Sequence, residues 1–212
     1  MRFRLLFTGF LMIAGAASAE QSSPVDAKAE EVIARSRNST ATYTIYWRVS
    51  SSNAGGKPDY AWSATFRKGS LVRLEDVQSR VVADCAAGTG TLFDLGVSHD
   101  NYRVGKKVAQ ASCGIDSDRR VRSARWLGEK DGKFGRVDEV EIVDEDGTFI
   151  YQVGAEGELL GINFRSRGFK EITAAEPMKF ERTVPSGDIF SRLSLANSKV
   201  PKQAQSRAAR GE

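Results

Sequence analysis

The sequence predicts an α+β fold: a curved antiparallel sheet with an N-terminal helix packed on or over its concave face. Three observations carry that reading. Val25, Ala29, Val32 and Ile33 recur at helical spacing near the start of the chain. From Ala41 the apolar period changes to two and returns in short runs as far as Phe164. The runs are separated by clusters of Gly, Asp, Asn and Ser that suit tight turns.

Residues 1–19 stand apart from this pattern. Met1-Arg2-Phe3-Arg4 is a positive n-region, Leu5 to Ala14 an apolar h-region, and Ala17-Ser18-Ala19 a small-residue cleavage site before Glu20, the three parts of a secretory signal. The apolar run is well short of the roughly 20 residues that span a bilayer. No stop-transfer segment follows, so the mature chain is expected to begin at Glu20, to hold no integral membrane segment and to reside in the periplasm or outside the cell. With no cysteine just after Ala19, a lipid anchor is not expected.

Export changes the meaning of the charge. The formal net charge is +4, but loss of Arg2 and Arg4 leaves +2, and Lys199, Lys202, Arg207 and Arg210 against Glu212 put +3 on the tail. The body is therefore near −1, which disfavours a nucleic-acid partner. Residues 20–196 are long enough for one buried core and short enough for one domain. Residues 197–212 are small, polar and basic, and a disordered tail is expected there.

In an oxidising compartment the two cysteines, Cys85 and Cys113, predict a disulfide. Such a bridge closes a loop of about 30 residues and stabilises by roughly 3.5 kcal/mol in the loop-entropy treatment. One histidine and two cysteines do not make the four-ligand set of a structural zinc site, and no metal or cofactor is expected.

Ser23-Pro24 reads as a helix cap and first helical position, giving a helix over 24–37. Tyr43, Ile45, Trp47 and Val49 then alternate with Thr42, Thr44, Tyr46 and Arg48. After the turn-rich stretch from Ser51 to Pro58, Tyr60, Trp62, Ala64 and Phe66 alternate with Ala61, Ser63, Thr65 and Arg67, and the two runs predict a hairpin. Leu71 to Asp76, Arg80 to Cys85 and Gly90 to Leu95 read as further strands. Gly105 to Arg120 is polar and turn-rich. Val121 to Leu127 is again periodic, and Val137 to Val143, Phe149 to Val153 and Leu160 to Phe164 form a meander with acidic-glycine turns. Phe169 to Val184 reads as one more strand, placed at an edge because Pro177 lacks an N–H. Ser186-Gly187-Asp188 would cap a short helix through Leu195.

Few residues suggest chemistry. Ser98-His99-Asp100 holds the residue types of a serine hydrolase, but neighbours in an extended chain alternate sides and no nucleophile elbow is present. Asp144, Asp146 and Gly147 fall short of a calcium loop, because Ile142 and Val153 stand where ligands belong. Glu139 and Glu141 share one strand face and read as a solvated exterior. No catalytic residue is assigned.

The feature with most content is the aromatic face of the first hairpin. Tyr43, Ile45, Trp47, Tyr60, Trp62 and Phe66 are expected on one side of the sheet, either as the packed core under the helix or as the lining of a pocket. One helix is little cover for seven or more strands, so the sheet either closes on itself or leaves part of its concave face open.

Signal peptide, amphipathic helix, aromatic hairpin and a meander with turns such as Asp144-Glu145-Asp146-Gly147 occur in an order that resembles the outer-membrane lipoprotein carrier superfamily, the LolA/LolB-like periplasmic proteins. The likeness spans most of Val25 to Phe180 and is one of pattern. It implies an unclosed β-barrel with a helical lid over an apolar cavity, and transient binding of an acyl chain or other apolar molecule without catalysis. The alternative is an interaction or sensor module that meets another envelope protein through a sheet edge or the basic tail. A secreted hydrolase built on His99 is the weakest reading.

Overall fold

The computed structural model describes residues 25–53, 56–96, 102–168 and 171–210. The expected signal segment, its expected cleavage site after Ala19, the expected Ser23-Pro24 cap and His99 lie outside the described residues. Eleven strands form one antiparallel sheet: β1 (Thr42–Asn53), β2 (Asp59–Lys68), β3 (Leu71–Asp76), β4 (Ser79–Asp84), β5 (Thr89–Asp94), β6 (Tyr102–Gly105), β7 (Ser123–Gly132), β8 (Gly135–Val143), β9 (Gly147–Gly154), β10 (Leu159–Ser166) and β11 (Glu171–Glu181). Three helices accompany it: α1 (Ala27–Arg37), α2 (Lys106–Ser112) and α3 (Lys202–Ala209).

The strand order is β6-β5-β4-β3-β2-β1-β11-β10-β9-β8-β7. Two meanders, β1 to β6 and β7 to β11, are joined where β1 pairs with β11. The curved sheet does not close, and β6 and β7 are its two ends. β11 is therefore central, contrary to the edge position expected from Pro177. The proline is accommodated because the register shifts between Tyr46 and Trp47, placing it at an irregularity where the ladder is already interrupted.

α1 starts at Ala27, later than the sequence suggested. Asp26 is its N-cap: the carboxylate accepts from Lys28 N at 2.9 Å and from Trp126 N at 3.2 Å, so the cap also fastens the helix to β7. Val25 precedes the helix and is exposed. Ala29, Val32, Ile33 and Ser36 form the buried face, and the first three pack with Ala124, Val140, Ile142, Tyr151 and Val153 of the β7 to β9 region. Arg35 and Asp138 form an ion pair beneath the helix, and Trp126 Nε1 donates to the same carboxylate at 2.8 Å.

Residues that face each other across an antiparallel pair share a side of the sheet. Tyr43, Ile45, Trp47 and Val49 stand opposite Arg67, Thr65, Ser63 and Ala61, while Thr44, Tyr46 and Arg48 stand opposite Phe66, Ala64 and Trp62. The expected single aromatic face is thus two faces. Tyr43, Ile45 and Trp47 point to one side; Tyr60, Trp62 and Phe66 point to the other. Period two fixes which residues within a strand share a side, but the phase between strands is set by the connecting turn, and a one-residue change inverts it.

The second face is covered by the C-terminal segment. Phe66 and Ala64 are fully buried against Ile189 and Val200, with Tyr46, Trp62, Val184, Phe190 and Ala204 around them. A short 3-10 helix at Arg192–Ala196 replaces the helix expected to end at Leu195. From residue 197 the expected disordered tail is not what the structure holds: Val200 and Ala208 are buried and α3 packs on β2 and β1. The cause is a sparse apolar set, Val200, Ala204 and Ala208, at four-residue spacing within a basic composition. A buried pair on β3 fixes the segment. Arg73, 0% exposed, donates to Glu75 Oε1 at 2.6 Å, to Ile189 O at 2.8 Å and to Asn197 O at 2.8 Å, and Glu75 accepts from Ser198 Oγ at 2.6 Å and Lys199 N at 2.9 Å.

Candidate functional site

The turn-rich stretch Gly105 to Arg120 forms the cover of the other face. α2 lies over β4 and β5 at the point where β5 carries Gly90. A Cβ there would come within 2.8 Å of Val108 Cγ1, so glycine is what lets the helix sit this low. The expected disulfide is present between Cys85, just after β4, and Cys113, the C-cap of α2, with Cα atoms 5.7 Å apart. Beyond it, Gly114 adopts φ +91° against the backbone of α1, where a Cβ would meet Ser36 O at 2.4 Å. Ile115 N donates to Ser36 Oγ at 2.9 Å, and Arg37 donates from Nε to Ile115 O at 2.8 Å and from Nη2 to Asp116 O at 3.0 Å. The segment 106–119 is thus bolted to the sheet at one end and to α1 at the other.

Between this cover and the sheet lies a cavity of about 410 Å³. Its floor is mostly apolar: Trp47 and Val49 from β1, Val72 and Leu74 from β3, Phe149 and Tyr151 from β9, Leu159 and Ile162 from β10, and Ala175 from β11. Ala111, Ser112, Gly114, Asp116 and Arg119 roof it. Phe149 stacks on Phe164 at 4.3 Å between centroids, and the Arg119 guanidinium lies 4.0 Å over the Phe149 ring. Burial pushes the Tyr151 phenol up to about 12, so its hydroxyl keeps its proton at neutral pH. A second, more polar cleft of about 510 Å³ lies on the outer face between α3 and β1, where Arg48, Lys133, Lys179 and Arg207 surround it. Tyr46, Pro177, Met178, Pro201 and Ala204 supply its apolar wall, which is smaller than that of the inner cavity.

Of the six residues expected at a ligand site, two line the inner cavity, Tyr43 and Trp47. Ile45 is fully buried beside Val137 and Leu160 in the core next to it. Tyr60, Trp62 and Phe66 belong to the outer face: Phe66 is core under the C-terminal segment, Trp62 is half-buried, and Tyr60 is 39% exposed. The residues that sequence reasoning missed are Leu74, Phe149, Tyr151, Ile162 and, above all, Arg67. The first four were visible as strand positions, but only the register gathers them. Arg67 sat in the polar phase of β2, and its position opposite Tyr43 is the sole signal that it points inward.

Asp144 holds a turn and pairs with Arg119 at 2.8 Å, and its Oδ1 accepts from Asp146 N and Gly147 N. Glu139 and Glu141 pair with Lys130 and Arg125. Among the described residues no group of three or more His, Cys, Asp or Glu side chains is placed to hold a metal ion.

An open antiparallel sheet, a helical cover and a cavity between them make up the fold. No family model matches the sequence, and no curated protein matches it. Solved structures do. The crystal structure of MucB superposes with a TM-score of 0.50 at 13% identity, covering 80% of this chain and 64% of that one. The Pseudomonas aeruginosa MucA/MucB complex gives 0.47 at 14% identity over 78% of this chain and 61% of that one, and a LolA superfamily protein from Nitrosomonas europaea gives 0.43 at 10% identity over 79% and 99%. The chain thus spans less than two thirds of MucB's length, and at this identity the likeness is one of fold. Among the described residues no helix is long and apolar enough to cross a membrane.

Proposed function

We propose that the protein is a periplasmic or secreted binding or carrier protein that takes up a lipid-like apolar ligand, without catalysis, in the cavity between the sheet and the 106–119 cover. The cavity is the observation that supports this. Its volume lies within the roughly 300–1,000 Å³ usual for small-molecule sites, and its floor is largely aromatic and aliphatic. Burial of an alkyl chain there supplies affinity at roughly 25 cal/mol per Å² of apolar surface removed from water. A fold of this kind and a secretory signal agree with a carrier that works outside the cytoplasm.

The test is native mass spectrometry of detergent-free protein exported to the periplasm. A retained lipid-sized mass is expected for the wild type and is expected to vanish in Ala175→Trp, which fills the cavity from its floor. Lipid-free wild-type protein that also fails to take up added fatty acid would count against the reading.

A protein partner is the second reading, and one feature favours it. β6 ends the sheet with Val104 64% exposed, and among the described residues no strand pairs with its outer edge, onto which an extended segment could add. MucB, whose fold this chain shares, is seen in complex with MucA. Val104→Lys is expected to abolish capture of such a partner and to leave ligand uptake intact.

A further inference from the structure

Four charged side chains line the inner cavity: Arg67, Asp76, Asp116 and Arg119. Three of them are accounted for. Asp76 accepts from Gln78 N, Ser79 N and Ser79 Oγ in the β3–β4 turn. Arg119 pairs with Asp144 at 2.8 Å and faces Asp116 at 3.8 Å. Arg67 is different. It is 2% exposed, its Nε donates to Gly69 O at 3.2 Å, and it stands opposite Tyr43 across the β1–β2 pair, but among the described residues no carboxylate lies within ion-pair distance of it.

A buried cation is stable only with an opposite charge or a full set of acceptors, and a guanidinium presents five N–H donors in a planar fork suited to carboxylate or phosphate. We infer that the Arg67 guanidinium, with the Tyr43 hydroxyl beside it, receives the anionic headgroup of a single-chain amphiphile whose alkyl chain lies along Trp47, Leu74 and Ile162. This rests on the binding role proposed above and narrows its ligand from any apolar molecule to an anionic one. Burial pushes the Tyr43 phenol up to about 12 against the opposing pull of Arg67, so the hydroxyl stays protonated and can donate to the same anion. Geometry along the strands fits the assignment. Tyr43, Arg67 and Val72 lie together at one end of the groove, and Trp47, Ser63 and Asp76, four residues away along each strand, at the other, roughly 13 Å distant at the strand rise. The cationic end and the acidic end orient a chain of one polarity.

The experiment compares four probes of equal chain length below their micelle concentrations, dodecanoate, dodecyl phosphate, dodecanol and dodecyltrimethylammonium, by calorimetry and tryptophan fluorescence on the full mature protein. Both anions are expected to bind at least tenfold more tightly than dodecanol, and the ammonium compound more weakly still. Arg67→Met is expected to remove the anion preference while dodecanol affinity stays within about twofold, and Arg67→Lys to retain part of it. A preference for one anion over the other identifies carboxylate or phosphate as the headgroup. Equal binding of dodecanol and both anions by the wild type would overturn the headgroup assignment and leave the apolar site standing. Binding of none of the four would overturn both. The wild-type comparison needs no variant, so it decides the matter even if Arg67→Met fails to fold.

Discussion

Removing the Cys85–Cys113 bridge should destabilise the protein and loosen the cover selectively. The cysteines are 28 residues apart in sequence and join the end of β4 to the end of α2. Loop-closure entropy for a span of that length gives about 3.6 kcal/mol at 25 °C. Because the enclosed residues include β5, β6 and α2, the loss should be concentrated in that third of the sheet and in the roof of the cavity. The assay is urea denaturation of the oxidised wild type and of the Cys85→Ala/Cys113→Ala protein. With a slope near 2 kcal/mol per M, the midpoint should fall by about 1.8 M. Hydrogen exchange should show Ala109, Ser112 and Ile115 amides losing protection before that of Ile142 on β8. A midpoint change under about 0.5 M, in a wild type that shows no reactive thiol, would refute the reasoning, since the bridge would then not restrain the unfolded chain as supposed.

Other substitutions probe the remaining supports. Glu75→Ala strands the fully buried Arg73 and should cost about 3–5 kcal/mol by thermal or chemical denaturation, with faster proteolysis beyond Asn197; a loss under about 1 kcal/mol would contradict the anchoring role given to this pair. Burial acts to raise the Asp138 carboxyl, but hydrogen bonds from Arg35 and Trp126 and the charge of Arg35 outweigh it and hold the group below its usual value of 3.8. Its contribution is therefore complete above that value and lost as pH falls through the lower folded one, so Asp138→Asn should cost about 2 kcal/mol at neutral pH and progressively less in strong acid. A deficit that stays constant down to about pH 2 would contradict the ion pair. Phe66→Ala should cost about 3–5 kcal/mol and Tyr60→Ala less than about 0.5 kcal/mol, with ligand uptake unchanged in both because neither lines the inner cavity.

The fold class was legible in the sequence because period two and turn chemistry are local signals. β1, β3, β8 and β9 appear close to where alternation puts them, and the Cys85–Cys113 disulfide expected from the sequence is present. The site was less legible because it depends on phase between strands. Tyr60, Trp62 and Phe66 alternate as cleanly as Tyr43, Ile45 and Trp47, yet the β1–β2 register turns the two sets to opposite faces. Pro177 misled for a related reason: a missing N–H excludes a regular ladder position but not a central strand with an irregularity. The cover escaped detection because α2 is a single short turn-rich segment whose position is set by Gly90, Gly114 and Cys113 rather than by an amphipathic stripe. The tail was misjudged because composition hides Val200, Ala204 and Ala208 among basic neighbours.

The two-faced hairpin and the cavity meet in one measurement. Trp62→Phe/Trp126→Phe leaves Trp47 as the reporter on the cavity floor, and Trp47→Phe/Trp126→Phe leaves Trp62 on the outer face. Each protein is titrated with a fatty acid brominated in mid-chain, which quenches tryptophan on contact. Saturable quenching of Trp47 at one ligand per chain, with Trp62 unaffected, is the expected result. Quenching of Trp62 while Trp47 keeps its emission would place the ligand on the wrong side of the sheet and contradict the inner site.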